Sequence, residues 1–472
     1  MQSDKQKKQT ILFAMKLLLL ILITALYGLI WFRFYADKLY RRPFYFYGNY
    51  VVIFIFMIMY ANFSKLYGVF DLKTNRTSEI VYSNAVALLA SSFLMYCISI
   101  LLERRLPNVL PLFLFIAIAF AIGIPWAIAA NRMTNRVLKV REILMIYDNE
   151  DARRNGEYIL TSIPWRYHML AQIPLCGDVG DTIREIEANN PDGVMLCGIH
   201  STPRNTILKY CINQDIAVYL RPNIGDFIVN SADEIQLANL PVLLCERATV
   251  PTPYRFGKRL MDIVLSLTGL LILSPVIIVT AIAVKFYDGG PIFYKQTRLT
   301  KDRKEFNVYK FRSMRVDAEK DGVARLASKG DNRITPIGKV IRAVRIDEIP
   351  QLLCILKGDM SVVGPRPERP EIAEKYEKEM PEFALRLQVR AGLTGYAQVY
   401  GKYNTEPYDK LQMDLMYIAH QSLVTDLKII LATIKILFLP ESTEGVAVGA
   451  TTAMDYENAA DSTDNSAETV GK

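Results

Sequence analysis

The 472-residue sequence predicts a membrane protein in three parts. These are an N-terminal four-helix transmembrane bundle, a central α/β Rossmann-like module, and a C-terminal α-rich α+β domain with a re-entrant membrane helix. Three observations carry the prediction. Apolar residues make up 51% of the chain and gather in long blocks near the N-terminus and around position 270, as membrane segments do. Short apolar runs alternate with polar, helix-like stretches between residues 140 and 250, the pattern of a parallel sheet with helices. Charge, arginine and short loops are concentrated after residue 286. The expected boundaries are 1–135, 136–250, 251–440 with the re-entrant helix over 258–285, and a tail over 441–472.

Four apolar stretches come first, at 11–31, 47–63, 85–102 and 110–130. Each is near the ~20 residues a helix needs to cross a bilayer. The first is too long for a signal peptide and lacks a small-residue cleavage site. Lys5, Lys7 and Lys8 precede the first span; Arg132, Arg136, Lys139 and Arg141 follow the fourth. Four crossings put both ends on one side, and the positive charge makes that side cytoplasmic. Arg33, Lys38, Arg41 and Arg42, between the first two spans, run against the rule. Trp31, Tyr45, Tyr47, Tyr50 and Trp126 sit near span ends and read as interfacial aromatics.

The formal net charge of +8 fits anionic partners, although cytoplasmic loops of a membrane protein account for most of it. The six cysteines form no C-x-x-C pair, so neither a zinc site nor a disulfide framework is indicated. With only His168, His200 and His420, multi-histidine chemistry is poorly supplied. Carboxylates, arginines and a hard cation remain.

In the central region, 143–147, 193–197, 216–220 and 241–245 suit buried strands, with helices over 181–189 and 206–213. Asp148-Asn149-Glu150 follows the first strand in place of a G-x-G-x-x-G fingerprint, which favours a structural or regulatory module over a dinucleotide site. The apolar stretch 263–284 has Ser274-Pro275 at its middle, where proline removes a backbone hydrogen bond and bends a helix. Lys258 and Arg259 before it and Lys285 after it allow both ends to face the cytoplasm. A fifth full crossing would carry everything beyond 285 outside. Lys258 or Arg259 can pair with Asp262 one turn on or anchor to lipid headgroups. The Ser274 hydroxyl can satisfy the carbonyl that Pro275 frees. The tail is poor in large apolar residues and reads as disordered.

Five runs carry the chemistry: Lys310-Phe311-Arg312-Ser313-Met314, Asp347-Glu348-Ile349-Pro350-Gln351-Leu352, Lys357-Gly358-Asp359-Met360-Ser361, Gly364-Pro365-Arg366-Pro367-Glu368 and Gly392-Leu393-Thr394-Gly395-Tyr396-Ala397-Gln398. In this order and spacing, over about 254–439, the chain resembles the bacterial sugar transferase family, the monotopic polyprenyl-phosphate sugar-1-phosphate transferases. The four spans and the α/β module resemble its longer members.

The resemblance implies an enzyme that transfers a sugar 1-phosphate from a UDP-sugar to undecaprenyl phosphate and releases UMP. The sugar would be a hexose such as glucose or galactose. It implies Asp347 as nucleophile, Glu348 as a ligand of Mg²⁺, and Arg342, Arg366 and Arg312 as phosphate-binding residues. Asp359 is either a second metal carboxylate or a turn residue. Physical chemistry supports the set: a bare carboxylate is repelled by phosphates, so a cation and guanidinium forks must neutralise charge first. The prolines flanking Arg366 stiffen its backbone. Arg342 and Arg345 also suit an amphipathic helix on anionic headgroups. Lys410, Asp414 and Tyr417, at helical spacing, read as a helix-face salt bridge or as part of the site.

The chain departs from the family pattern in a glycine-free loop at 298–303, and at Arg345, Cys354 and Tyr400; these bear on sugar and nucleotide recognition. Expected partners are a UDP-sugar, undecaprenyl phosphate and membrane lipids, with no nucleic acid; a homodimer is compatible with them. The expected place is the bacterial inner membrane, for the first step of exopolysaccharide, capsule or O-antigen assembly. A membrane glycosyltransferase releasing UDP, or a membrane-anchored nucleotide-sensing regulator, are the competing classes.

Overall fold

The computed structural model describes residues 2–38, 47–175, 177–247, 250–316, 333–401 and 406–436. The disordered tail expected over 441–472 lies outside them. The chain divides into two compact units, Met1–Arg221 and Pro222–Lys472.

The first unit opens with α1 (Gln2–Phe34), α2 (Tyr47–Leu66), α3 (Thr77–Glu103) and α4 (Leu110–Val137). All four are long and apolar enough to cross a membrane. Phe13, Leu29, Phe54, Phe93, Leu101 and Phe113 point outward, as lipid-facing side chains must. Inside, Tyr27 stacks on Phe56 at 4.0 Å and meets Phe115 edge-on at 5.4 Å. The Tyr60 hydroxyl donates to Asn84 Oδ1 at 2.7 Å. The two tryptophans expected at the interface are instead buried: Trp31 Nε1 donates to Asn49 Oδ1 (2.9 Å) and Trp126 Nε1 to the Met15 carbonyl (3.0 Å). Each indole N–H finds an acceptor within the bundle and does not need the wet headgroup layer.

The parallel module follows: β1 (Arg141–Tyr147), α5 (Glu150–Ser162), β2 (Tyr167–Pro174), α6 (Val179–Asn189), β3 (Gly193–Cys197), α7 (Ser201–Asn213) and β4 (Ala217–Leu220). Its sheet order is β2-β1-β3-β4, all parallel. β1 and β3 are central and apolar; β2 is an edge strand containing His168 and Gln172, so the apolar pattern did not reveal it. Arg166, just before β2, donates to the carbonyls of Lys73 (2.7 Å) and Leu72 (3.2 Å). The α2–α3 connection and the module therefore share one side of the bundle, as four crossings require.

The second unit begins with α8 (Ile224–Asn230) and the antiparallel hairpin β5 (Asp233–Leu237) and β6 (Leu240–Leu244). The strand expected at 241–245 thus belongs to this hairpin and not to the module. Ala238 and Asn239 at its tip have φ of 49° and 65°, the tight turn that closes it. Next come α9 (Thr252–Ile272) and α10 (Ser274–Asp288), bent by 62° at the break. Ser274 Oγ donates to the Leu271 carbonyl at 2.7 Å, the group that Pro275 leaves without its N–H. The bend follows from the proline, and the serine makes it tolerable.

Then come the hairpin β7 (Phe293–Leu299) and β8 (Glu305–Phe311), α11 (Pro336–Ala343), α12 (Gln351–Lys357), β9 (Ser361–Val363), α13 (Pro370–Glu379), β10 (Gly392–Thr394), α14 (Tyr396–Tyr400), α15 (Pro407–Ala419) and α16 (Leu423–Ile436). A core of Ile355, Met360, Val363, Phe383, Leu411, Tyr417 and Ile429 unites β9, α12, α15 and α16.

The expected roles of the charges on α9 are corrected here. Lys258 and Arg259 bind groups of the domain and do not pair with Asp262. Lys258 Nζ pairs with Asp426 (2.9 Å) and donates to Tyr417 Oη and the Val363 carbonyl (3.0 Å each). Arg259 donates to the carbonyls of Ile355 (2.7 Å) and Leu356 (2.6 Å), capping the end of α12. Asp262 Oδ1 accepts from Ser361 Oγ (3.0 Å) and Val362 N (2.9 Å). All three bind α9 to the domain, because near a bilayer a polar group is cheapest where a fixed partner waits.

β9 and β10 are parallel and cross so closely that a Cβ on Gly392 would lie 2.1 Å from the Gly364 backbone nitrogen. We predict that Gly392→Ala costs about 3 kcal/mol or more. Unfolding of the detergent-solubilised chain measures this, and an unchanged midpoint would refute the tight crossing.

Candidate active site

Asp347 and Glu348 stand on a short 3₁₀ turn, Ile346–Glu348, between α11 and α12. Arg345, at φ 53°, turns the chain into it. Asp347 is buried, 9% exposed. Glu348 Oε1 accepts from Lys310 Nζ at 2.7 Å and from Arg366 Nη2 at 2.6 Å, and Arg345 Nη1 is 3.8 Å from Oε2. Burial alone would raise the Glu348 carboxyl, but Arg366 and Lys310 outweigh it and hold it well below the usual carboxylate range. Burial pushes the Asp347 carboxyl up, Lys310 opposes this, and the neighbouring Glu348 adds to it. The two adjacent carboxylates are thus driven apart: Glu348 is held charged, and Asp347 is desolvated.

Arg342, in the last turn of α11, lowers the Asp347 carboxyl by its charge. Its guanidinium has no hydrogen-bond or ion-pair partner among the described residues. Arg366 stands in the Pro365–Pro367 turn between β9 and α13. The structure therefore brings together Asp347, Glu348, Arg342 and Arg366, as the sequence led one to expect.

Two expected members lie elsewhere. Arg312 is buried and grips both oxygens of Asp288 at the end of α10, one at 2.7 Å. It fastens β8 to α10 and is not available to a phosphate. Asp359 pairs with Lys357 at 2.9 Å, and its carbonyl accepts from Thr300 Oγ1 at 2.9 Å. It is a turn residue at the end of α12, the second of its two readings. Among the described residues no group of three or more His, Cys, Asp or Glu forms a metal cluster. Asp347 and Glu348 offer oxygen donors of the kind a hard divalent ion takes, with Glu348 Oε1 already engaged by Lys310 and Arg366.

Sequence reasoning did not assign Lys310, the second cation on Glu348. A lysine between Tyr309 and Phe311 near the end of β8 was the available signal. Nor did it find the charges behind the Arg366 turn. Asp414, 1% exposed, pairs with Arg386 at 2.8 Å rather than with Lys410, and Tyr417 donates to Asp426 at 2.8 Å. Burial pushes the Asp414 carboxyl up to about 6 against the pull of Arg386. At neutral pH it is still ionised.

The raised Asp414 value sets a pH test. The folded chain keeps this proton to about pH 6, against an ordinary 3.8. The contribution to stability is therefore fully present below about 4 and lost as pH rises through about 6. We predict that the stability of wild type relative to Asp414→Asn falls by roughly 2–3 kcal/mol between pH 4 and 7. Paired unfolding curves across that range check it, and a pH-independent difference would contradict the assignment.

Comparison with known proteins agrees with this geometry. The profile of the family described as Bacterial sugar transferase matches residues 253–440. The UDP-N-acetylgalactosamine-undecaprenyl-phosphate N-acetylgalactosaminephosphotransferase of Aeromonas hydrophila is 41% identical over 190 residues, 39% of this chain and 45% of the relative. The UDP-glucose:undecaprenyl-phosphate glucose-1-phosphate transferase of Escherichia coli K12 is 36% identical over 223 residues, 46% of this chain and 48% of the relative. The enzyme of the same name from Caulobacter vibrioides is 38% identical over 190 residues, 39% of this chain and 71% of the relative. The chain thus spans about half the length of the first two and most of the third. With its five runs in register and its Asp347–Glu348 pair between Lys310, Arg342 and Arg366, the chain belongs to the bacterial sugar transferase family.

Proposed function

We propose that the chain transfers a hexose 1-phosphate from a UDP-sugar to undecaprenyl phosphate, releasing UMP, as the first step of exopolysaccharide, capsule or O-antigen assembly. One observation carries this reading: a buried carboxylate, Asp347, lies beside a charged Glu348 held by Lys310 and Arg366, with the Arg342 guanidinium free to take phosphate oxygens. The relatives named above supply the substrate classes, with glucose and N-acetylgalactosamine as the sugars to test first.

In the first half-reaction an Asp347 carboxylate oxygen attacks the phosphorus that bears the sugar. The P–O bond to the nucleoside monophosphate breaks, and UMP leaves with the electron pair. Arg342 and Arg366 neutralise the phosphate charge that would otherwise repel the carboxylate. In the second half-reaction an oxygen of the lipid phosphate attacks the same phosphorus and displaces Asp347. The product is the lipid diphosphate sugar, and no redox change occurs. Mg²⁺, held by Glu348 and the donor phosphates, would supply further charge neutralisation when bound.

The same proposal places the domain on the cytoplasmic face of the inner membrane, with α9 and α10 entering and leaving one leaflet and the parallel module as a Rossmann-like accessory. The 62° bend supports this, as does the anchoring of α9 by Lys258, Arg259 and Asp262.

Two experiments test the reading. Incubated with UDP-glucose or UDP-N-acetylgalactosamine and Mg²⁺ but no lipid, the wild type is expected to gain the mass of one sugar phosphate, and Asp347→Asn none. Release of UDP in the complete reaction, or an adduct on the variant, would sink it. Single cysteines at Thr252 and Tyr287, in an otherwise cysteine-free chain, should both react with an impermeant maleimide from the cytoplasmic side. Labelling from opposite sides would show a full crossing.

A further inference from the structure

Every carbonyl of the Arg366 turn has a donor. Pro365 O accepts from Gly392 N at 2.8 Å, and Glu368 O from Leu299 N at 3.0 Å. The two between are held by side chains: Arg366 O by Arg386 Nη2 at 2.8 Å and Pro367 O by Arg298 Nη1 at 3.0 Å. Each of these arginines grips the turn at a second point. Glu368, the next residue of the turn, lies 3.6 Å from Arg386 Nη1 and 3.8 Å from Arg298 Nη1. Arg386 is 4% exposed, and Asp414, 2.8 Å away, fixes it from α15. Arg298 is fixed by Gln296 Oε1, at 3.1 Å from Nε and 2.6 Å from Nη2.

Two guanidiniums, one 4% and the other 19% exposed, are a costly way to satisfy two carbonyls. Taking charges out of water is expensive, and an apolar core of the same volume stabilises a fold as well or better. What the charges add is direction. Two-point attachment on both sides of the Arg366 Cα fixes where that side chain leaves the backbone. On its other side the side chain reaches Glu348 Oε1 at 2.6 Å.

We propose that Arg386, seated by Asp414, and Arg298, seated by Gln296, are positioning residues that act through Arg366. They clamp its turn by the backbone so that the guanidinium meets Glu348 and the donor phosphate in one geometry. The inference rests on the phosphoryl-transfer reading above. Neither arginine touches substrate; their charges are directed to Glu368, Asp414 and carbonyls.

The test is a double-substitution cycle on the full chain in detergent, following UMP release from UDP-glucose or UDP-N-acetylgalactosamine with undecaprenyl phosphate. Arg386→Lys keeps the charge but loses the fork. It is expected to lower kcat/KM for the UDP-sugar about 10²-fold, the cost of a displacement near 1 Å. In an Arg366→Ala background the same substitution is expected to cost less than about threefold, because its target is gone. A purely structural arginine would lower the thermal midpoint and cost the same factor in both backgrounds. Equal factors, or no effect in the wild type, overturn the clamp. If Arg386→Lys does not fold, Arg298→Lys and Glu368→Gln replace it in the same cycle with the same expected sub-additivity. A folded wild type that releases UDP, or no nucleotide with either donor, overturns the reaction reading and the clamp with it. A wild type that releases UMP with additive variants overturns the clamp alone.

Discussion

The domain is organised around one carboxylate held by two cations. Glu348 lies between Lys310 and Arg366, and without them its desolvation would cost several kcal/mol. The three residues come from separate segments: a β-hairpin strand, a 3₁₀ turn and a proline-stiffened turn. They are 38 and 18 residues from Glu348 along the chain, so the ion cluster forms only when those segments are in register. The close β9–β10 crossing, the β7–β8 hairpin and the core around Val363 exist at positions that make this register the stable one. The cluster also sets the surroundings of Asp347, whose carboxyl is raised by burial and restrained by Lys310.

Much of this was legible in the sequence, for identifiable reasons. Membrane helices follow from length and apolarity, and all four were placed. Which way an aromatic faces does not follow: Trp31 and Trp126 sit near span ends but turn inward. The central strands carry the apolar runs 143–147 and 193–197 and were found, whereas β2, an edge strand with polar positions, was not. In the site, the family motifs singled out Asp347, Glu348, Arg342 and Arg366, and the fold brings them together from three segments. It failed for Arg312, for a local reason. Strand β8 ends at Phe311, so Arg312 escapes the alternation that would have set it beside Lys310 and swings to Asp288 instead. Asp359 stayed open between two readings because an aspartate beside a glycine at a helix end is equally a turn residue and an oxygen ligand.

The charges on α9 show how an exposed apolar helix is fixed to the domain it leads into. Lys258, Arg259 and Asp262 occupy one helical face, and each spends its hydrogen bonds on α12, β9, α15 or α16. The opposite face, with Leu260, Val264, Leu267 and Leu271, is exposed and apolar. Held by these contacts, the helix cannot roll about its axis without breaking the ion pair between Lys258 and Asp426. The bend at Ser274-Pro275 is therefore held at a fixed attitude relative to the domain.

The cations of this domain separate into two kinds by what their N–H groups already hold. Arg386, Arg259 and Arg312 direct N–H groups at protein carbonyls or carboxylates, and Arg298 at a carbonyl and the Gln296 amide oxygen; they shape the fold. Arg342 has no such partner among the described residues, and Arg366 gives one nitrogen to Glu348 while facing the Asp347 side. A phosphate entering the site can gain little from a guanidinium that must first release a buried carboxylate, since the group left behind would be unpaired at a cost of a few kcal/mol. It gains most from one that has no partner to give up. On the proposed reaction that cation is Arg342, half-buried in the last turn of α11, whose charge lowers the Asp347 carboxyl.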